Sequence, residues 1–216
     1  MARLSIPKVN GRFPAKHAKG VDPGLVGLRA FEHPVVREWH RWLLEEYRPQ
    51  YSVALVTPCS NVKPYPLSPT SRKIRGLLRR LGLWDEAGDR PRGVEWLYLS
   101  DLLILVPYEK AWDYPACCYE LHPEELMRSP RRYNMVVDLL ARVVERLVDL
   151  GLERVVVYLP RKHLKIWEDA RHRASKWPVE HRVKYNIFSL HGLEETLQHL
   201  THQHTRRITL DAWLKR

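Results

Sequence analysis

Acidic residues are in short supply in this 216-residue chain: 25 Asp and Glu stand against 36 Lys and Arg, a formal charge of +11 at pH 7. A surplus of that size attracts polyphosphate backbones through counterion release, which makes nucleic acid the first partner to consider. Cysteine is scarce too. The three residues, Cys59, Cys117 and Cys118, are odd in number with two adjacent, which excludes a disulfide framework and favours a reducing compartment. No glycine-rich phosphate loop or dinucleotide fingerprint occurs, so P-loop and nicotinamide chemistry find no support. Long apolar runs are missing as well: none approaches the roughly 18 to 20 residues that cross a bilayer, and the first 20 residues carry no signal-peptide core. A cytoplasmic location is therefore expected. His199, His202 and His204 follow no strong zinc spacing, and no metal or cofactor is expected.

What the chain does contain is organised around Val53 to Ser71. Val53-Ala54-Leu55-Val56 has the length and β-branched content of a buried strand, and Thr57-Pro58 stops it. Pro58, Pro64, Pro66 and Pro69 then keep the chain out of a helix until about Ser71, so that Cys59, Ser60, Asn61, Lys63, Tyr65 and Ser68 share one stiff loop. Loops leaving the carboxyl end of a strand in an open α/β sheet are where ligands bind. Cys59 is the candidate nucleophile, because a nearby helix N-terminus and Lys63 would lower its thiol pKa; the alternative is a small packing residue. Lys63 is suited to hold a phosphate or carboxylate, or to orient a substrate.

The same residues carry a resemblance. Pro58-Cys59, three residues, Lys63-Pro64-Tyr65, two residues and Ser68 resemble the PC-x3-KPY-x2-S-x2-H signature of the archaeosine synthase alpha subunit, in its central domain, an archaeal family related to tRNA-guanine transglycosylase. Ser71 stands where that signature has His. Flanking pieces extend the likeness from about Glu32 to Leu159, among them Val106-Pro107-x-Glu109 and Tyr114-Pro115-x3-Tyr119. The resemblance implies an α/β fold similar to uracil-DNA glycosylases. It also implies lysine transfer to the nitrile of 7-cyano-7-deazaguanine in tRNA, with free lysine as co-substrate and a transglycosylase-like or radical-enzyme partner. Two alternatives stand beside it: a nucleic-acid-binding module that kept the fold without the chemistry, and a glycosylase-like enzyme acting on a nucleobase.

Periodicity predicts the rest. Residues 1–30 are expected to form a basic arm, with Lys16 and Lys19 as phosphate contacts, and 31–216 a single α/β domain of three layers around a mainly parallel sheet. Helices are expected near Pro34 to Tyr47, Ser71 to Leu81, Tyr133 to Leu150, Pro160 to Trp177 and Leu193 to Leu200. Further strands are expected at Val94 to Ser100, at Leu102 to Val106 as a continuation or a second piece, at Arg154 to Leu159, and at Val183 to Phe188. Gly82 to Gly93 is expected as a loop and Ser71 or Thr70 as a helix cap. A second stiff aromatic loop, Pro107 to Glu120, is expected at the same sheet edge as the first. It would bring Asp101 and Glu109 as acid–base groups, and Tyr114 and Tyr119 as stacking faces for a base, beside Pro58, Ser60, Asn61, Tyr65 and Ser68. Arg72, Lys73, Arg75, Arg79 and Arg80 on one helix, with Arg161, Lys162 and Lys165 on another, are the expected nucleic-acid contacts, forming one positive surface.

Overall fold

The computed structural model describes residues 17–200. Its frame is a five-stranded sheet in the order β5-β4-β1-β6-β7. The strands are β1 (Val53–Pro58), β4 (Glu95–Ser100), β5 (Ile104–Pro107), β6 (Arg154–Val157) and β7 (Val179–Arg182); β2 (Trp84–Asp85) and β3 (Arg90–Pro91) form a separate hairpin. β1 pairs in parallel with β4 and β6, and β6 with β7, while β5 returns antiparallel on β4. β1 and β6 are apolar without alternation because both faces of a parallel sheet are covered, and the inner residues of both are buried.

The helices are α1 (Pro34–Glu45), α2 (Pro69–Arg80), α3 (Pro123–Met127), α4 (Pro130–Asp149), α5 (Arg161–Arg173) and α6, over 191–200. From β1 the chain crosses through α2 to β4 on one side. From β6 it crosses through α5 to β7 on the other. Right-handed crossovers in opposite directions place α2 and α5 on opposite faces of the sheet. α4 packs on α5 and α1 on α4, which completes one layer. α6 lies beside α2 in the other, tied by Arg80 to Glu194 at 3.6 Å. Three layers with a mostly parallel sheet result, and no helix among the described residues is long and apolar enough to cross a membrane.

Several boundaries differ from expectation for identifiable reasons. The last strand is Val179–Arg182 rather than Val183 to Phe188, since Val179 to Arg182 align with β6; Tyr185 beyond it turns back over Tyr158, with ring centroids 4.8 Å apart. Gly82 to Gly93 holds the β2–β3 hairpin, because Trp84 packs edge-on against Tyr108. The cap of α2 is Ser68, whose hydroxyl accepts from the Ser71 amide; Ser71 itself is buried in the first turn. The arm expected over 1–30 is part of the domain from residue 17 onward. Leu25 is fully buried, and the Asp22 and Gly27 amides donate to the Cys118 and Glu120 carbonyls. Lys16, His202 and His204 lie outside the described residues.

The turn that carries Asp101 is strained. Three residues, 101–103, join β4 to antiparallel β5, and Ile104 at its end has φ +68°, a left-handed conformation that a β-branched side chain adopts only under strain. The turn is held from both sides. The Ser100 hydroxyl accepts from the Leu102 and Leu103 amides, while α1 donates Trp39 Nε1–H to the Leu105 carbonyl and His40 Nε2–H to the Leu102 carbonyl.

Burial favours the neutral imidazole of His40 and lowers its pKa below the ordinary 6.5, with the Leu102 bond acting the other way. Its stabilising contribution is therefore complete above about pH 6.5 and is lost as pH falls through the lower folded value. Urea midpoints of the parent and of His40→Gln, which keeps a donor but cannot titrate, should diverge between pH 8 and pH 5, the parent losing more. Parallel losses would assign the acid sensitivity to other groups.

Candidate active site

The three central parallel strands end at one edge, and each delivers a polar side chain there. β1 carries Cys59 just past its end, where the Cys59 amide still donates to Leu99 and extends the ladder. β4 runs through Ser100 into Asp101. β6 leads through Pro160 into the first turn of α5, which places His163 inward. Cys59 Sγ lies 3.4 Å from His163 Nε2 and 3.7 Å from Asp101 Oδ2, and those two atoms are 3.7 Å apart. Asp101 and His163 are buried, whereas Cys59 is partly open to a cavity of about 390 Å³.

The walls are polar and aromatic. Lys63 Nζ sits 4.2 Å from the centroid of the Tyr119 ring and 5.8 Å from that of Tyr65, a cation held on aromatic faces inside the fold. Tyr119 is fixed in turn: its hydroxyl meets Tyr65 at 2.5 Å and Ser100 at 2.8 Å. Across the cavity Ser68 and Ser71 share a 2.9 Å hydroxyl bond, and Tyr98 donates to Ser71 at 3.2 Å.

Electrostatics here oppose the expected thiolate. Burial, then the charge of Asp101, push the Cys59 thiol up to about 12, with Lys63 pulling the other way. Burial also raises the Asp101 carboxyl against the pull of His163, and lowers His163 against that of Asp101. A low-dielectric site prefers neutral groups. The resting cluster is thus a thiol beside an imidazole that burial makes harder to protonate and a carboxyl that burial makes harder to ionise, and the sulfur becomes a nucleophile by handing its proton to a neighbour.

Of the residues singled out from sequence, Pro58, Cys59, Ser60, Asn61, Lys63, Ser68, Asp101 and Tyr119 line this cavity. Tyr65 stands behind it, fully buried, and supports Tyr119. Glu109 and Tyr114 do not reach it. Because β5 runs antiparallel, Pro107 pairs with Leu97 and carries Glu109 toward the opposite end of β4, so the two loops do not leave the same edge. Tyr114 is exposed and donates to Asp22 instead. Asp101 arrives by the short turn, and Tyr119 only after the chain has come back.

The expected positive surface is divided. Arg72, Lys73, Arg75, Arg79 and Arg80 belong to α2, whereas Arg161, Lys162 and Lys165 belong to α5 on the opposite face. Acids pair with several of these cations: Arg79 meets Glu86 from the following loop at 2.8 Å, Lys162 is bonded to Glu124 of α3, and Lys165 meets Asp169 one turn along α5 at 2.9 Å. Lys73 donates to the Ile187 carbonyl and Lys19 to that of Trp112.

His163, Glu124 and Tyr185 also line the cavity and were not foreseen as site residues. A signal for His163 was available. It is the third residue after Pro160, which ends a parallel strand, and the first turn of the following helix sits at the same edge as Cys59.

Comparison with known proteins is consistent with the fold and silent on chemistry. A family model described as "Domain of unknown function (DUF5591)" matches residues 36–200. No curated protein matches the chain. A solved structure titled "Crystal structure of AF0587, a protein of unknown function" superposes with a TM-score of 0.51 at 20% identity, covering 74% of this chain and 48% of that one. The chain thus spans about half the length of that solved relative.

Proposed function

We propose, from the premise that this chain belongs to the DUF5591 family, that it is a thiol-dependent transferase joining an amine to the nitrile of a 7-deazaguanine base in tRNA. Lysine is the amine that the PC-x3-KPY-x2-S resemblance indicates. The observation that carries the proposal is the Cys59–His163–Asp101 cluster at the floor of a cavity: a sulfur with a proton acceptor at 3.4 Å and a carboxyl at 3.7 Å.

A nitrile carbon is an electrophile that a thiolate adds to. The Cys59 proton passes to His163, the sulfur forms a C–S bond to the nitrile carbon, and the nitrile nitrogen takes a proton from Asp101, which enters the step as the carboxylic acid and whose pKa burial raises, leaving a thioimidate. The lysine amine then adds to the same carbon, the C–S bond breaks, and the protons return to Cys59 and Asp101. The sum is nitrile plus amine giving amidine, with the thiol regenerated. Lys63 on Tyr119 gives the wall a fixed positive charge for a carboxylate or phosphate oxygen. Ser71 stands where the resembled motif has histidine, and His163, from a segment beyond that motif, supplies an imidazole to the cavity.

The same proposal includes a uracil-DNA glycosylase-like arrangement of the sheet, action in the cytoplasm, attraction of tRNA by the +11 charge, and partner proteins for the base-exchange and radical steps. Incubation with 7-cyano-7-deazaguanine tRNA and isotope-labelled lysine, followed by nucleoside mass spectrometry, should show one labelled lysine per modified base. Tight tRNA binding with no adduct at any pH would replace this reading with that of a binding module, which the raised thiol pKa favours.

A further inference from the structure

The three side chains that meet at the sheet edge also satisfy an independent geometric test. A tetrahedral zinc ion bonds sulfur at about 2.3 Å and nitrogen or oxygen at about 2.0–2.2 Å, which sets neighbouring ligand atoms roughly 3.3 to 3.7 Å apart. Cys59 Sγ, His163 Nε2 and Asp101 Oδ2 are separated by 3.4, 3.7 and 3.7 Å, a triangle of that size. All three face one cavity, so the fourth position of such a site opens toward it. A second observation points the same way. Asp101 and His163 are 2% and 7% exposed, and the second carboxylate oxygen of Asp101, Oδ1, has no hydrogen-bond partner among the described residues. Burying polar groups in this way is costly, and a cation among them offsets part of that cost.

We propose that Cys59, His163 and Asp101 bind one divalent zinc ion, with an open fourth position facing the cavity. Sulfur, imidazole and carboxylate together suit a borderline cation such as Zn²⁺ and disfavour Mg²⁺ and Ca²⁺, which take mainly oxygen. Binding releases the thiol proton and gives the sulfur electron pair to the metal, so a loaded site has no Cys59 nucleophile. Zinc would then hold the transferase activity closed. The metal site stands or falls independently of that activity.

The test uses the full chain, stripped with a chelator and titrated with Co²⁺ in the absence of tRNA and lysine. One equivalent should produce tetrahedral ligand-field bands in the visible together with a thiolate-to-cobalt charge-transfer band, and one equivalent of Zn²⁺ should abolish both. Cys59→Ser should remove the charge-transfer band. His163→Gln, a second variant guarding against misfolding of the first, should weaken binding by at least about tenfold, while Cys117→Ser leaves the spectrum unchanged. Absence of saturable binding, or a charge-transfer band that survives in Cys59→Ser, overturns the proposal. Lysine transfer measured in chelator is a separate readout, so failure of one reading is distinguishable from failure of the other.

Discussion

Cys59→Ala should lower lysine transfer by at least about 10³-fold, with tRNA affinity unchanged and stability altered by about 1 kcal/mol or less. The catalytic loss is large because the sulfur is, among the described residues, the nucleophile at the cavity floor that has both an acceptor and a carboxyl within reach. Without it the nitrile must wait for direct attack by the amine, and the covalent step that divides one difficult reaction into two is gone. The structural cost is small because the thiol is at the rim of the core, with its backbone amide still donating to Leu99. Cys59→Ser should be nearly as inactive, since a hydroxyl surrenders its proton to His163 far less readily than a thiol. Single-turnover assays with labelled lysine, alongside filter binding of tRNA, separate these effects. Transfer that survives in the alanine variant would rule out the thioimidate and leave a site that only positions amine and nitrile.

Trp96→Ala should have the largest effect on stability, a loss of about 3–5 kcal/mol. Trp96 is among the largest fully buried side chains and lies in β4, where it stacks on Tyr108 with centroids 4.9 Å apart and packs on Tyr98 at 5.3 Å. Its indole N–H donates to Thr57 Oγ1 at 2.8 Å, a cross-strand bond from β4 to β1 two residues before Cys59. Truncation leaves a cavity between aromatic rings that cannot collapse and strands the Thr57 hydroxyl in the core. For a domain of this size the thermal midpoint should fall by about 6 to 20 °C. Trp96→Phe, which keeps most of the ring contact and loses only the donor, should cost clearly less. Equal losses would mean that the Thr57 bond, not the packing, carries the effect.

The frame was legible because its strands obey local rules. Val53 to Val56, Val94 to Ser100 and Arg154 to Leu159 read as buried strands from apolar runs bounded by proline and turn residues, and the sheet places them side by side as β1, β4 and β6. Half of the cavity was legible for the same reason, since Pro58 to Ser68 is one continuous loop. The other half depends on the direction of a single strand. Leu102 to Val106 has no feature that distinguishes a kinked continuation from an antiparallel return, and that choice decides whether Glu109 or only Asp101 stays near Cys59. His163 was missed for a related reason: a histidine among lysines and arginines looks like part of a solvated basic face until the helix is docked. The divided basic surface follows from crossover handedness, a property of topology that leaves no mark on the charge pattern.

The cluster at the sheet edge has a consequence for how the protein assembles. Its members are far apart along the chain, Cys59 lying 42 residues from Asp101 and 104 from His163. β1 owes its central place to two parallel neighbours, and each arrives only after an intervening crossover has closed, the slower kind of strand pairing. A species with β4 docked and β6 absent would hold the sulfur beside the carboxyl with no imidazole and with one flank open to water. Reactivity of Cys59 toward a small thiol reagent during refolding is therefore a clock for the second closure, and protection of that thiol should appear with the slowest kinetic phase rather than with early helix formation.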